Sequence, residues 1–207
     1  MISNLLDVSR MEAGVMEYEI KHQDLVPLVR TAIAEIEAQA LERQIQIRVT
    51  LPERPLLVEC DGDRIVQVIL NLVGNAVKFS PKEGVIEVQL RAIPEVPEKM
   101  PERWRRLITG QGKGGDYGLL MVADSGPGVP DSHKEKIFEK FHQVKHGKKI
   151  AGQGVGLGLA ICRTIVHAHR GALWVEDNPA VGGSSFCLLL RPGDSKEEAV
   201  PSASSPI

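Results

Sequence analysis

The chain has 207 residues, a mass of 22.6 kDa, 43% hydrophobic and 25% charged residues, and a formal net charge of -2. That composition excludes an intrinsically disordered chain, and the balance of 25 Lys+Arg against 27 Asp+Glu excludes the basic surface that nucleic acid or an anionic membrane would require. The three cysteines (Cys60, Cys162, Cys187) lie in apolar stretches without a CxxC pair. A disulfide framework or a cysteine zinc site is not expected, and a reducing, cytoplasmic compartment fits.

In chain order, Ile2, Leu5, Leu6 and Met11 recur at roughly helical spacing until Gly14 breaks the pattern. Residues 16–22 read as a short strand. Asp24 is an N-cap candidate for a helix from Leu25 to about Arg43, with Leu28, Ala32, Ile36 and Ala40 along one face. Residues 45–51 alternate as a half-buried strand, and residues 56–60 form a second strand after the Pro52–Pro55 turn. A long helix runs from Asp61 to Phe79, where Ser80–Pro81 stops it. Residues 84–92 form a strand, and residues 94–117, rich in Pro, Gly and charge, read as a surface insertion. An apolar strand at 117–124 precedes a helical stretch at 131–141 and a basic, Gly-rich, mobile loop at 142–155. Another helix covers Gly156 to about His169, and strands at 172–177 and 184–191 close the chain as a hairpin. The Pro/Ser-rich tail 193–207 is expected to be disordered. The three long helices and the clustered strands predict an α+β fold, a two-layer α/β sandwich with one mixed, mostly antiparallel sheet and helices on one face.

Three segments carry chemistry. The helix 61–79 is apolar around most of its circumference except for a stripe of Arg64, Gln67, Asn71, Asn75 and Lys78. Asparagine is a poor helix former, so two of them one turn apart argue for a ligand rather than a solvated face. An amide oxygen suits Mg²⁺, and a lysine supplies positive charge for phosphate. Second, Asp124-Ser125-Gly126-Pro127-Gly128-Val129 places a carboxylate at a strand end before a turn whose glycines allow close approach of a flat ring. Read alone, this segment is equally well an ordinary type II turn. Third, alternate glycines at 152, 154, 156 and 158 open a helix, where exposed N–H groups can cradle phosphate.

These segments, in this order, resemble the ATP-binding domain of sensor histidine kinases, of the superfamily shared with gyrase B, Hsp90 and MutL. DGDRIVQVILNLVGNAVKFSP (61–81), DSGPGVP (124–130), KIFEKFHQV (136–144) and GQGVGLGLAI (152–161) are similar to that family's asparagine, first glycine, phenylalanine and second glycine boxes. The resemblance implies a Bergerat-type fold over residues 16–192, preceded at 1–15 by the end of a dimerisation and phosphoacceptor hairpin. It implies ATP and Mg²⁺ as ligands, with Asn75 on the metal and Asn71 and Lys78 on phosphate. It also implies that Asp124 accepts from the adenine amine. Phe79, Gly126, Gly128 and Val129 would complete the adenine end, and Gly154, Val155, Gly156, Leu157, Gly158 and Leu159 the phosphate-facing lid hinge. Phe138 and Phe141 would pack the base of that lid. Lys145, Lys148 and Lys149 read as a solvated run. His142 and His146 have the spacing of a metal pair but no third ligand, and read as surface histidines. The implied function is phosphoryl transfer to a histidine on a helical hairpin that is missing from this chain but for its end, with a response regulator as partner and dimerisation through the hairpin. The alternative within the superfamily is an ATP-hydrolysing, ATP-gated module. Those relatives carry a glutamate base at the position of Asn71, and asparagine cannot take that proton.

Overall fold

The computed structural model describes residues 15–108, 115–144 and 155–193. The expected hairpin end at 1–15, the core of the basic loop at 145–154 and the expected disordered tail at 193–207 fall, but for Val15 and Gly193, outside the described residues.

Strand β1 (Lys21–Asp24) leads into helix α1 (Leu25–Glu42), followed by β2 (Gln46–Thr50), β3 (Leu57–Cys60) and helix α2 (Gly62–Phe79). After β4 (Val85–Ile93) come a short helix α3 (Glu102–Ile108), β5 (Tyr117–Ala123), helix α4 (Gly158–Ala168), β6 (Ala172–Asp177) and β7 (Ser184–Leu190). Five strands form one sheet in the order β2-β4-β5-β7-β6, and β1 pairs with β3 in a separate two-stranded ribbon. Only the β2–β4 pairing is parallel, so the sheet is mixed and mostly antiparallel.

The N-caps of α1 and α2 are both aspartates. Asp24 Oδ1 accepts the Val26 N–H at 3.0 Å and the Leu56 N–H at 2.9 Å, so one carboxylate starts α1 and anchors the approach to β3. Asp61 Oδ1 accepts the Arg64 N–H at 3.2 Å and starts α2. Ser80, extended at ψ 145 before Pro81, ends α2 where the sequence predicts. On α1 the buried face is Leu25, Val29, Ala32, Ile36 and Ala40, while Leu28 is only half-buried. The strand expected at 16–22 begins instead at Lys21. Its register with β3 (Lys21↔Cys60 to Asp24↔Leu57) uses only four residues, and the Glu19 N–H goes to the Asp61 carboxylate at 3.0 Å rather than to a ladder.

Alternation along the strands divides the core in two. Ile86, Val88, Leu120, Val122, Leu173, Phe186 and Leu188 face α1, α2 and α4. Leu119, Ala172, Trp174, Cys187 and Leu189 point the other way, where the insertion covers them with Met100, Trp104 and Ile108. The segment expected to be a surface insertion therefore contributes a second apolar cluster, because β5, β6 and β7 are apolar on both faces and need a cover. Arg103 on α3 also pairs with Glu135 at 3.0 Å. The helix expected at 131–141 is two 3₁₀ turns, Asp131–His133 and Lys136–Phe138. Ile137 and Phe138, in the second of these turns, are both buried.

His169, at the end of α4, fixes the start of α2. Its Nδ1–H donates to the Ile165 carbonyl at 2.7 Å, and its Nε2 accepts the Asp61 N–H at 2.9 Å. The bond accepted at Nε2 needs the neutral ring, and burial lowers the imidazole pKa below its ordinary 6.5, against the raising by the Ile165 bond. As pH falls, the unfolded chain takes up this proton first. The stabilisation is complete above about pH 6.5 and is lost as the pH drops below it. His169→Ala should cost ~1–3 kcal/mol at pH 7.5, and less at pH 5, in urea denaturation of variant and parent. An equal loss at both pH values would contradict the neutral-ring assignment.

Candidate nucleotide-binding site

Between α2, the end of β5 and the start of α4 lies a cleft of about 300 Å³. One wall is the polar stripe of α2, from which Asn71, Asn75, Lys78 and Phe79 reach the cavity. The opposite wall is Asp124, Gly128 and Val129 after β5, with Ser184 and Phe186 from β7. Val155, Gly156, Leu157, Gly158 and Leu159 close one end. The sequence thus names most of the lining. Gly126 stands just behind the wall, where its N–H holds Asp124, and Gly154 lies outside the described residues.

Asp124 is the dominant electrostatic feature. It is 4% exposed, and its Oδ1 accepts the Gly126 N–H at 2.8 Å and the Ser184 N–H at 3.3 Å. Both bonds fall on Oδ1, leaving Oδ2 without a donor among the described residues. Burial pushes the carboxyl pKa up, against the lowering by the two backbone N–H bonds. A ligand N–H donor would supply what Oδ2 lacks.

On the facing helix, the Asn71 Nδ2–H donates to the Gln67 carbonyl at 3.0 Å, which turns its oxygen toward the start of α4. A Cβ on Gly158 would lie 2.8 Å from that oxygen, so helix and amide meet only because residue 158 is glycine. Asn75 is half-buried and makes no hydrogen bond among the described residues. Lys78 Nζ lies 5.1 Å from the Phe79 ring centroid, and partial burial lowers its pKa. A nearby anion would favour its charged form. Gly156 has φ +77, and a Cβ there would meet the Phe141 and His142 backbone at 3.0–3.1 Å.

Phe138 and Phe141 part company. Phe138 is buried and meets Phe186 edge-on at 6.5 Å. Phe141, expected to pack, is 65% exposed at φ 62, because its N–H is tied to the Gly156 carbonyl at 2.9 Å and the reversed backbone throws the ring outward. His142 lines the cleft beside His133 (5.4 Å between ring centroids), while His146 lies outside the described residues.

Sequence reasoning missed several lining residues. Ile137, Gln143 and Val144 lie in the 136–144 box but are not singled out within it, Ser184 lies in no motif, and Phe186 and Pro127 read as core and turn. Gly183 was also missed. A Cβ there would stand 2.0 Å from the Asp124 carbonyl oxygen, so the turn before β7 can close on Asp124 only with glycine. Asn178 Nδ2–H adds a bond to the same carbonyl at 3.1 Å. The doubled glycine at 182–183 was the available signal.

Residues 60–194 match the family of histidine kinase-, DNA gyrase B-, and HSP90-like ATPases, and the chain belongs to that family. Over 189 residues it is 32% identical to the sensor histidine kinase TmoS of Ectopseudomonas mendocina, covering 91% of this chain and 17% of that protein. Over 191 residues it is 30% identical to the adaptive-response sensory kinase SasA of Synechococcus sp. (strain JA-3-3Ab), covering 92% and 44%. The chain therefore spans less than half the length of either relative. Among solved structures, the nucleotide-free catalytic domain of histidine kinase ThkA aligns with TM-score 0.64 and 28% identity, over 84% of this chain and 96% of that one. Full-length ShkA in complex with AMPPNP aligns with TM-score 0.68 and 25% identity, over 93% and 35%. Together with the cleft, these similarities identify an ATP-binding catalytic domain of the two-component histidine kinase class.

Gly183→Ala should destabilise the fold by ~1–3 kcal/mol, because the added methyl meets backbone that cannot swing aside. Gly182→Ala, with nothing within 4 Å of its Cβ but a φ of +80, should cost less. Urea denaturation of both variants tests the ranking, and the reverse order would refute the Asp124 packing argument.

Proposed function

We propose that residues 16–192 bind Mg-ATP in this cleft and present its γ-phosphoryl for transfer to a histidine on a separate helical hairpin. The hairpin would belong to a cytoplasmic kinase segment that dimerises through it and serves a response regulator. The observation that carries the reading is the division of one cleft into two chemistries. A buried carboxylate between Phe79, Val129 and Phe186 suits the edge of an adenine ring, and an Asn/Asn/Lys stripe facing a glycine-rich helix start suits a triphosphate. The printed names of TmoS and SasA support the sensor-kinase part of the reading.

Asp124 would accept from the adenine amine. Lys78 and the N–H groups at the start of α4 would meet phosphate oxygens. The donor set fits Mg²⁺: Asn75 offers one neutral amide oxygen that no other described group uses, and this ion takes few protein ligands beside water and phosphate. When bound, the ion supplies neutralisation of the charge on the phosphoryl oxygens. The chain's own contribution is orientation and exclusion of water by the apolar walls. Hydrolysis is disfavoured, because Asn71 is no base and its amide is already committed to the Gln67 carbonyl. Among the described residues no helix is long and apolar enough to cross a membrane.

Calorimetric titration with ATP, with and without Mg²⁺, tests the reading. Affinity should depend on Mg²⁺, and Asn75→Ala should weaken it. Asp124→Ala should cost roughly ten- to a hundredfold, the loss of a charged hydrogen bond, and GTP should bind more weakly than ATP. An arriving amine favours ionised Asp124, so the affinity should fall as pH is lowered into the acidic range where this raised carboxyl protonates. Equal binding of GTP and ATP, or no binding at all, would overturn the assignment. Incubated alone with labelled ATP, the chain should accumulate no phosphohistidine, and adding the hairpin in trans should restore weak transfer.

A further inference from the structure

Away from the cleft, three parts of the chain meet at one point that the nucleotide chemistry does not use. Asp61 accepts the Arg64 N–H through Oδ1 at 3.2 Å and the Glu19 N–H through Oδ2 at 3.0 Å. Its own N–H donates to His169 Nε2 at 2.9 Å. His169 is buried, and the Tyr18 ring meets it edge-on with centroids 5.6 Å apart. Tyr18 and Glu19 belong to the segment entering β1, Asp61 starts α2, and His169 ends α4. One carboxylate and one imidazole therefore tie the entering segment to both helices that wall the cleft.

The two helices touch again at their other contact, where Gly158 at the start of α4 abuts the Asn71 side chain. Between the two contacts the Cys162 thiol faces the Val68 carbonyl at 3.9 Å. The 11 residues of α4 make a rod of about 16 Å. A tilt of about 5° at the His169 end would carry the Gly158 end about 1.4 Å relative to Asn71 and Asn75, by the geometry of a rod of that length. Shifts of that size alter how well positioned groups meet a ligand.

We propose that Tyr18, Asp61 and His169 act as positioning residues, a pivot through which residues 15–20 set the angle between α2 and α4. That angle in turn sets the affinity of the cleft for a nucleoside triphosphate. The proposal rests on the nucleotide reading above. None of the three residues lines the cleft, so their effect on binding passes through helix placement.

The test uses the 207-residue chain and Mg-AMPPNP as the probe. Tyr18→Ala should raise the dissociation constant three- to tenfold by calorimetry, and Tyr18→Phe, which keeps the ring edge, should stay within twofold of the parent. By reciprocity, saturating AMPPNP should slow hydrogen exchange at the Glu19 amide of the parent by a similar factor. Glu19→Pro, which removes the N–H that Asp61 accepts, should weaken binding in the same direction. A purely structural role would lower the melting temperature without moving either the affinity or the exchange rate. AMPPNP binding by Tyr18→Ala within twofold of the parent, or Glu19 exchange insensitive to AMPPNP, would overturn the pivot. Failure of the parent to bind AMPPNP would instead overturn the nucleotide reading on which it rests.

Discussion

Helix α2 has to satisfy two neighbours and a cavity at once. Its apolar side chains Ile65, Val68, Ile69, Leu72, Val73, Ala76 and Val77 are all buried, because α2 packs on α1 and α4 and lies over the sheet. Burying seven such groups is worth on the order of 10 kcal/mol before entropy is counted. That leaves little freedom for the helix to rotate. The remaining stripe is consequently held at one azimuth, and Asn71, Asn75 and Lys78 face the same cleft. Gly74, whose Cβ position lies 3.8 Å from Ile36, gives α1 room on the other side.

Asp124 is the counterpart on the sheet side. An isolated buried carboxylate is costly, and here two backbone N–H groups compensate part of that cost on one oxygen only. The two N–H groups belong to Gly126 and Ser184, and glycines let the chain close around the carboxylate. Gly126 would bring a Cβ 2.9 Å from Oδ1, and Gly183 would collide with the carbonyl behind it. The second oxygen has no donor among the described residues. The lowered pKa of Lys78 follows the same logic, since a desolvated ammonium across an apolar cleft is best matched by an anion.

The insertion changes the account of the sheet. Trp104, Met100 and Ile108 cover Trp174 and Leu189 on the face away from the long helices. Arg103–Glu135 then connects that cover to the segment that supplies Ile137 to the cleft, and Lys134 ties the same segment to Asp177 at the end of β6. Such exposed pairs contribute little individually. The apolar cluster beneath them carries the attachment.

The sequence by itself determined the order of the long helices and of the strands, the Asp24 cap, the stop at Ser80–Pro81 and the polar stripe of α2. These depend on local chemistry: propensity, periodicity and the geometry imposed by proline. It also named most of the residues that line the cleft: asparagines on a helix and glycines before one are unusual enough to read without neighbours, and the resemblance to the family's boxes supplied Phe79, Val129, Val155, Leu157 and Leu159. Only the tertiary structure decided that residues 131–138 form 3₁₀ turns, that Phe141 faces outward, and that the insertion becomes a second core. It alone brought Ser184, Phe186 and Gly183 to Asp124, and Tyr18 and His169 to Asp61. Those relations join residues 43 to 108 positions apart, and no local pattern records which distant backbone will supply a partner.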